Sequence, residues 1–590
     1  METWFIVIFT LCLALILKSL LSFFINSNKK LPPGPVAVPV IGSFLWLRKS
    51  LFGLDEVLHG LRLKYGPIVT LQLGPQPVIF ICSRSLAHRA LVQNGAVFSD
   101  RPKALGTAEI LNSNQHNVNS AAYGPTWRLL RRNLASEILH PSCSASFSHV
   151  RLTVLNTLLS RLLLNKSTPV AVVDHIHNAM FALLVIMCFG DKLDDEQIKQ
   201  NQNCSADVAF EPTQIQRAKL LAKARQDCVQ KQELVKLRKD EEDVLIPLIR
   251  ARIQARKRQD SMVAYVDTMT GLQLPDEGNR SLTEGEMVSL CEEFVNAGTD
   301  TTSNALQWIM ANLVKYPKIL VQGNQCILGP PPPPPVTSDM ATAAAKEEDV
   351  EKMPYLKAVV LEGLRRHPPA HYVLPNMVTE KVELGGYVLP KGAQVNFMVA
   401  EMGWDPEVWE EPMSFTPERF LSGGQEGFDV TGSREIKMMP FGAGRRICPA
   451  RNLARNLALL HLGYYVANLV WYFEWTAVDG DDIDLSEKLE FTVVMKHPLQ
   501  AHATTLSTTE AEYMALTEAA KEALWLKGPV EELGFKQRGV LLQCDSQNAM
   551  DLAKNQESQP LLMFLHERTD DDTEALAEAK EKFKSSTVLQ

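Results

Sequence analysis

Met439-Pro-Phe-Gly-Ala-Gly-Arg-Arg-Ile-Cys-Pro-Ala450 is the stretch that decides how the rest of the chain is read. One cysteine, Cys448, sits in a glycine-bearing loop with a proline directly after it. Proline suits the first position of a helix, so the pattern predicts Cys448 at a helix N-terminus. Backbone N–H groups and the positive end of the helix dipole favour an anionic sulfur there. Gly442 and Gly444 let the loop close tightly around it, and Arg445 and Arg446 add positive charge. A thiolate held in this way is a metal ligand or a nucleophile. A buried structural cysteine is the alternative that composition alone offers.

The chain has 590 residues, more than one hydrophobic core usually supports, so one large domain with attachments is expected. A hydrophobic fraction of 46% leaves ample material for that core. The net charge of −8 argues against general nucleic-acid binding, and no nucleic-acid partner is expected. The ten cysteines show no C-x-x-C pair and no zinc-type spacing, which fits a reduced, cytosol-facing compartment.

Trp4 to Leu17 is almost unbroken apolar sequence, and Leu20 to Ile25 continues it. Together they reach the ~20 residues needed to cross a bilayer. The segment lacks the positive n-region and small-residue cleavage site of a signal peptide. Lys18, Lys29 and Lys30 follow it, so the positive-inside rule keeps the remainder cytosolic. Residues 1–30 are therefore read as an uncleaved single-pass anchor, and Leu31-Pro-Pro-Gly-Pro35 as a stiff extended connector.

From about Val36 to Ala503 the pattern is mainly helical with short β pieces. Ile68–Leu73 and Val78–Cys82, parted by Gly74-Pro75, read as a hairpin. Lys103 to Ser120 is polar and loop-like, and Trp127-Arg-Leu-Leu-Arg-Arg132 begins a helix that carries Trp127 and Arg131 on one face. Glu286 to Lys315 is the central helix, with Phe294, Ala297, Thr301, Ala305 and Trp308 recurring on one side. Glu362 and Arg365, three apart, share a helix face; on spacing alone they would form a weak surface pair.

Phe441, Gly444, Arg446 and Cys448 match the F-x-x-G-x-R-x-C-x-G signature of the cytochrome P-450 family. Glu362-x-x-Arg365 and Pro417-Glu418-Arg419-Phe420 precede it in the family's order, and Ala297-Gly-Thr-Asp-Thr-Thr302 resembles the family's oxygen-groove motif. Asn114–Asn117, Asp243–Ile249 and Val399–Asp405 are similar in wording to plant microsomal A-type members of the 89A-like subfamily. The resemblance implies a mainly α fold with a small β part: a helical haem-binding domain over 31–503 with small β-sheets, behind an N-terminal transmembrane helix. It implies haem b with Cys448 as axial thiolate. Trp127, Arg131 and Arg446 would hold the propionates, and Phe441, Gly444, Ala297 and Gly298 would line the cofactor. The small pair Ala297 and Gly298 would leave room for a planar group and a diatomic ligand. Thr301 would bond back to a carbonyl one turn earlier, and Asp300 would relay protons. Glu362, Arg365 and Arg419 would form a buried structural network. The implied partners are O2, a small hydrophobic substrate, membrane lipid and an NADPH–cytochrome P-450 reductase through which NADPH acts indirectly. The implied location is the endoplasmic reticulum membrane.

The sequence departs from that pattern in several places. Asn201 to Lys239 is polar where the family builds the roof of its substrate pocket. Pro330 to Pro335 form a polyproline run that no helix survives. Ala450 replaces the last signature glycine and opens the repeat Ala450-Arg-Asn-Leu-Ala-Arg-Asn-Leu457. One surplus four-residue unit moves a helix by about 6 Å and turns it by about 40°, which would displace His461 relative to Cys448. Asn376 stands where the family usually carries a histidine or arginine for the propionates. In the tail, Leu506–Ala515 and Gln543–Ala549 resemble the ribonuclease H region of copia-type retrotransposons, with Glu512 and Asp545 at two acidic positions. Residues 504–556 read as a truncated, catalytically dead fragment and 557–590 as an unassigned charged tail. The leading expectation is a haem-thiolate monooxygenase. The alternatives are a non-functional chimeric product that assembles no competent haem site, and a haem-thiolate isomerase or lyase.

Overall fold

The computed structural model describes residues 10, 31–35, 54–73, 76–104, 113–164, 168–190, 226–256, 262–319, 345–350, 352–421, 428–451, 457–478 and 482–505. Apart from Thr10, the apolar run expected as an anchor lies outside the described residues, as do most of the roof region, the polyproline run, residues 452–456 of the repeat and the tail after 505.

The helices that position the site are α1 Leu54–Tyr65, α2 Pro125–Asn133, α3 Ser148–Leu163, α4 Val172–Phe189, α5 Gln226–Arg256, α6 Glu284–Lys315, α7 Pro354–Arg366 and α8 Leu457–Tyr472. The strands used below are β1 Ile68–Leu73, β2 Gln76–Ile81, β3 Val170–Ala171, β4 Asn376–Met377, β5 Gln394–Phe397, β6 Phe473–Ala477, β7 Glu487–Leu489, β8 Val493–Met495 and β9 Gln500–Thr505. β1 and β2 form the expected hairpin, in register from Ile68↔Ile81 to Leu73↔Gln76. β5 joins β2 in parallel and β4 closes the sheet antiparallel to β5. β6, β9 and β3 make a second small sheet, and β7 pairs with β8. The proline-rich connector docks on the first sheet, where Thr70 N–H donates to Pro33 O.

α6 runs through the main core. Its start is fixed by a capping box: Thr283 accepts from Glu286 N–H and the Glu286 carboxylate accepts from Thr283 N–H. Phe294, Ala305 and Trp308 are buried, as their spacing predicts, whereas Ala297 is exposed and Thr301 half-buried. Trp308 stacks on His367 with ring centroids 4.0 Å apart, and its indole N–H donates to Val493 O. That pair joins α6, the end of α7 and β8.

α4 is apolar along most of its length because it is covered. Among the described residues it is the one helix long and apolar enough to cross a membrane, yet it packs in the core with α3 and α6. Leu184 of α4 meets Gly298 so closely that a Cβ there would lie 2.5 Å from Leu184 Cδ1. The room expected at Gly298 for a cofactor is therefore taken by helix packing.

Glu362 and Arg365 correct the spacing-based expectation of a surface pair. Both side chains are fully buried, joined by Arg365 Nε to Glu362 Oε2 at 2.7 Å and Arg365 Nη2 to Glu362 Oε1 at 2.8 Å. Arg419 Nε donates to Glu362 Oε1 at 3.2 Å, and Arg365 also donates to the carbonyls of Gly403, Pro412 and Ser414. A buried charge survives only when paired and fully hydrogen-bonded, and this network meets that condition.

Candidate active site

The cysteine loop is built on two glycines in the left-handed region, Gly442 at φ +71° and Gly444 at φ +70°. At Gly444 space adds to conformation: a Cβ would lie 2.0 Å from the Leu91 carbonyl oxygen. The loop thus closes directly against the chain that follows β2. Cys448 N–H donates to Phe441 O at 2.9 Å, which folds the segment into a tight bend with both residues half-buried. Among the described residues Cys448 is followed by the 3-10 turn Pro449–Arg451 and then by α8 from Leu457. His461 is buried on α8, and burial, followed by the charge of Arg151, pushes its imidazole down to about 3.

Cations gather beside this bend. Arg131 donates to Ile447 O at 2.5 Å, the carbonyl directly before Cys448, and lies over the Trp127 ring. Arg446 covers the same ring at 4.5 Å and donates to the carbonyls of Ser99, Val118 and Ala121. Burial and the neighbouring Arg101 push its guanidinium down to about 9, still protonated at neutral pH. Trp127 Nε1 also donates to Val118 O, at 3.1 Å. Trp127, Arg131 and Arg446 therefore share one place, as predicted, with their donors resting on backbone carbonyls.

Arg101 is the residue that sequence reasoning missed. Its guanidinium reaches the Asn376 side chain and the carbonyls of Asn119, Leu374 and Pro375. It arrives there because Asp100 forms a β-bridge with Met377 beside β4. A cation is thus supplied next to Asn376 from another part of the chain. The signal was the Arg-Pro pair at 101–102 at the edge of the polar loop, which carried no weight without the strand it meets.

The loop from 113 to 121 is held by α6. The Glu293 carboxylate accepts from Val118 N–H at 2.8 Å and Asn119 N–H at 2.5 Å. Burial drives the Glu293 carboxyl up to about 7 against those two bonds. His116 lies between Glu277 at 2.8 Å and Glu286 at 2.6 Å. Further along α6, Thr301 Oγ1 donates to Ala297 O at 2.6 Å, the back-bond expected of it. Asp300 Oδ1 lies 3.1 Å from His177 Nε2 of α4.

Haem fits the residues present. Exposed Ala297 and half-buried Thr301, one turn apart, leave part of one face of α6 open, and the Cys448 and Phe441 side chains are likewise uncovered in part. Arg101, Arg131 and Arg446 are donors suited to carboxylates. The cytochrome P450 family profile matches residues 32–503. The chain belongs to the cytochrome P450 family. It is 44% identical over 511 residues to cytochrome P450 89A9 of Arabidopsis thaliana, covering 84% of this chain and 98% of that protein. It is 30% identical to geraniol 8-hydroxylase of Catharanthus roseus, covering 85% of this chain and 99% of the relative. A zebra fish cytochrome P450 solved with abiraterone shares the fold at TM-score 0.59 and 21% identity, over 79% of this chain and 99% of its own. The P450 relatives are monooxygenases, and this chain is an enzyme of that class with the helical fold and small sheets expected.

Proposed function

We propose that this P450 is a haem-thiolate monooxygenase that inserts one atom of O2 into a small apolar organic substrate. The observation that carries the reading is the cysteine bend: Gly444 closed on Leu91, Cys448 tied back to Phe441, and Arg131 bonded to the carbonyl before the cysteine. When bound, haem supplies an iron whose Cys448 thiolate favours O–O cleavage. The chain's own residues do the rest. Arg101, Arg131, Arg446 and Trp127 would hold the propionates, with Ala297 and Phe441 against the ring. Thr301, bonded to Ala297 O, and Asp300 would hold and pass protons at the oxygen site. Glu362, Arg365 and Arg419 keep the loop's support rigid without touching the chemistry.

Electrons would come from NADPH through a membrane-bound reductase, with residues 1–30 anchoring the chain in the endoplasmic reticulum and 31–503 facing the cytosol. Residues 506–556 would be an inactive fragment of ribonuclease H ancestry outside the P450 match, and 557–590 a solvated tail. Thr504 and Thr505, read from the sequence as the start of that fragment, instead pair with Glu474 and Phe473 in β6. The reading is tested by the carbon monoxide difference spectrum of the reduced, haem-supplemented chain. A thiolate-type band is expected. Its absence from folded protein would favour the non-functional chimera.

A further inference from the structure

Asp300 is the acid of the oxygen-groove motif, and its side chain is turned toward α4. Its Oδ1 lies 3.1 Å from His177 Nε2, with 29% of the aspartate side chain and 36% of the histidine side chain exposed. His177 belongs to the short polar run Asp174-His-Ile-His-Asn178 at the start of a helix that is otherwise apolar and covered. Two contacts place it there: Leu184 of α4 packs on Gly298, and His177, two turns earlier on α4, reaches Asp300, two residues further along α6. Asp300 is followed directly by Thr301, whose hydroxyl is already committed to Ala297 O.

An exposed His–Asp pair is commonly a weak helix–helix tie worth about 0–1 kcal/mol. Here the aspartate has a second task, because an acid that gives up a proton each turnover must be recharged from water. An imidazole suits that step: it accepts at one ring nitrogen and donates from the other near neutral pH. We propose that His177 is the solvent-side member of a proton-input pair with Asp300, a positioning and relay residue for oxygen activation. A solvent proton enters at Nδ1, the Nε2 proton passes to Asp300 Oδ1, and tautomer exchange restores the ring. Only N–H and O–H bonds form and break, and no electrons move. The assignment rests on the monooxygenase reading above.

The test compares His177→Gln and His177→Asn with the wild type in the full-length, haem-loaded chain reconstituted with a reductase. Both variants should keep the wild-type carbon monoxide difference band. The fraction of NADPH electrons released as peroxide should rise by up to about tenfold, less than the ~100-fold of a donor acting directly on the reacting atoms. The His177→Gln/Asp300→Asn double variant should be no worse than Asp300→Asn alone. The pairing also has a readout independent of turnover: carbethoxylation of His177, followed by mass spectrometry, should be several-fold faster in Asp300→Asn. A full band with wild-type coupling in both histidine variants, or additive effects in the double variant, overturns the relay and leaves the monooxygenase reading standing. A wild-type chain that folds but gives no band overturns that reading and the relay with it.

Discussion

Replacing Gly444 by alanine asks two things of the cysteine bend at once. A non-glycine residue at φ +70° costs roughly 1–2 kcal/mol from backbone strain. The added Cβ lies 2.0 Å from Leu91 O, far inside contact distance, and the obstacle is backbone rather than a flexible side chain. Forcing that approach apart costs a further ~1–3 kcal/mol. The sum, roughly 2–5 kcal/mol, is a factor of about 30 to several thousand in the population of the closed loop. Gly442→Ala is the control, because it carries the same strain at φ +71° but only an ordinary 3.6 Å contact with Val373. Haem occupancy, read as the carbon monoxide difference band per mole of folded protein, should collapse in Gly444→Ala and fall only modestly in Gly442→Ala. Equal occupancy in the two variants would refute the claim that closure of this loop on Leu91 shapes the ligand site.

Glu362→Ala strands Arg365 in the core and should cost about 3–5 kcal/mol in a denaturant midpoint, with Glu362→Gln losing less. His367 and His461 are held neutral by burial, at about 4 and about 3, with the Glu487 hydrogen bond partly offsetting the shift at His367. Their contribution is therefore present above the ordinary histidine value and is lost as pH falls below it. Between pH 7 and pH 5 each should remove about 2 kcal/mol, while the buried Glu292 and Glu293 carboxyls, held up at about 7, return a similar amount. The check is therefore the pH dependence of the thermal midpoint of His461→Phe beside the wild type. The variant should lose about 2 kcal/mol less over that window, and an identical slope would contradict the burial account. Thr301→Ala removes the hydroxyl bonded to Ala297 O while leaving a helix-compatible residue. It should keep the haem spectrum and divert reducing equivalents to peroxide, and unchanged coupling would remove Thr301 from the proton path.

Local signals carried much of this structure. The hairpin at 68–81 and the central helix, whose start is set two residues earlier by its Thr283 cap, follow from short-range patterning. The E-x-x-R and P-E-R-F motifs predicted a buried network where i,i+3 spacing alone suggested a surface tie. What was not legible depends on partners far away in the chain. Arg101 gains meaning only when Asp100 bridges to Met377, and Gly298 reads as cofactor space until α4 is seen to fill it with Leu184. The loop at 113–121 has no period to read because its backbone groups are held by side chains of α6, Glu293 above all. His177 was hidden for a related reason, as its helix is so apolar that length and composition alone would place it in a membrane.

The central claim is that Cys448 is the axial ligand of a haem held in this bend. The most direct measurement is the reduced carbon monoxide difference spectrum of the wild type beside Cys448→Ser, both haem-supplemented and shown folded by circular dichroism. The wild type should give the thiolate-type band, and the serine variant should lose it while keeping its fold. A thiolate-type band that persists in Cys448→Ser would contradict the account.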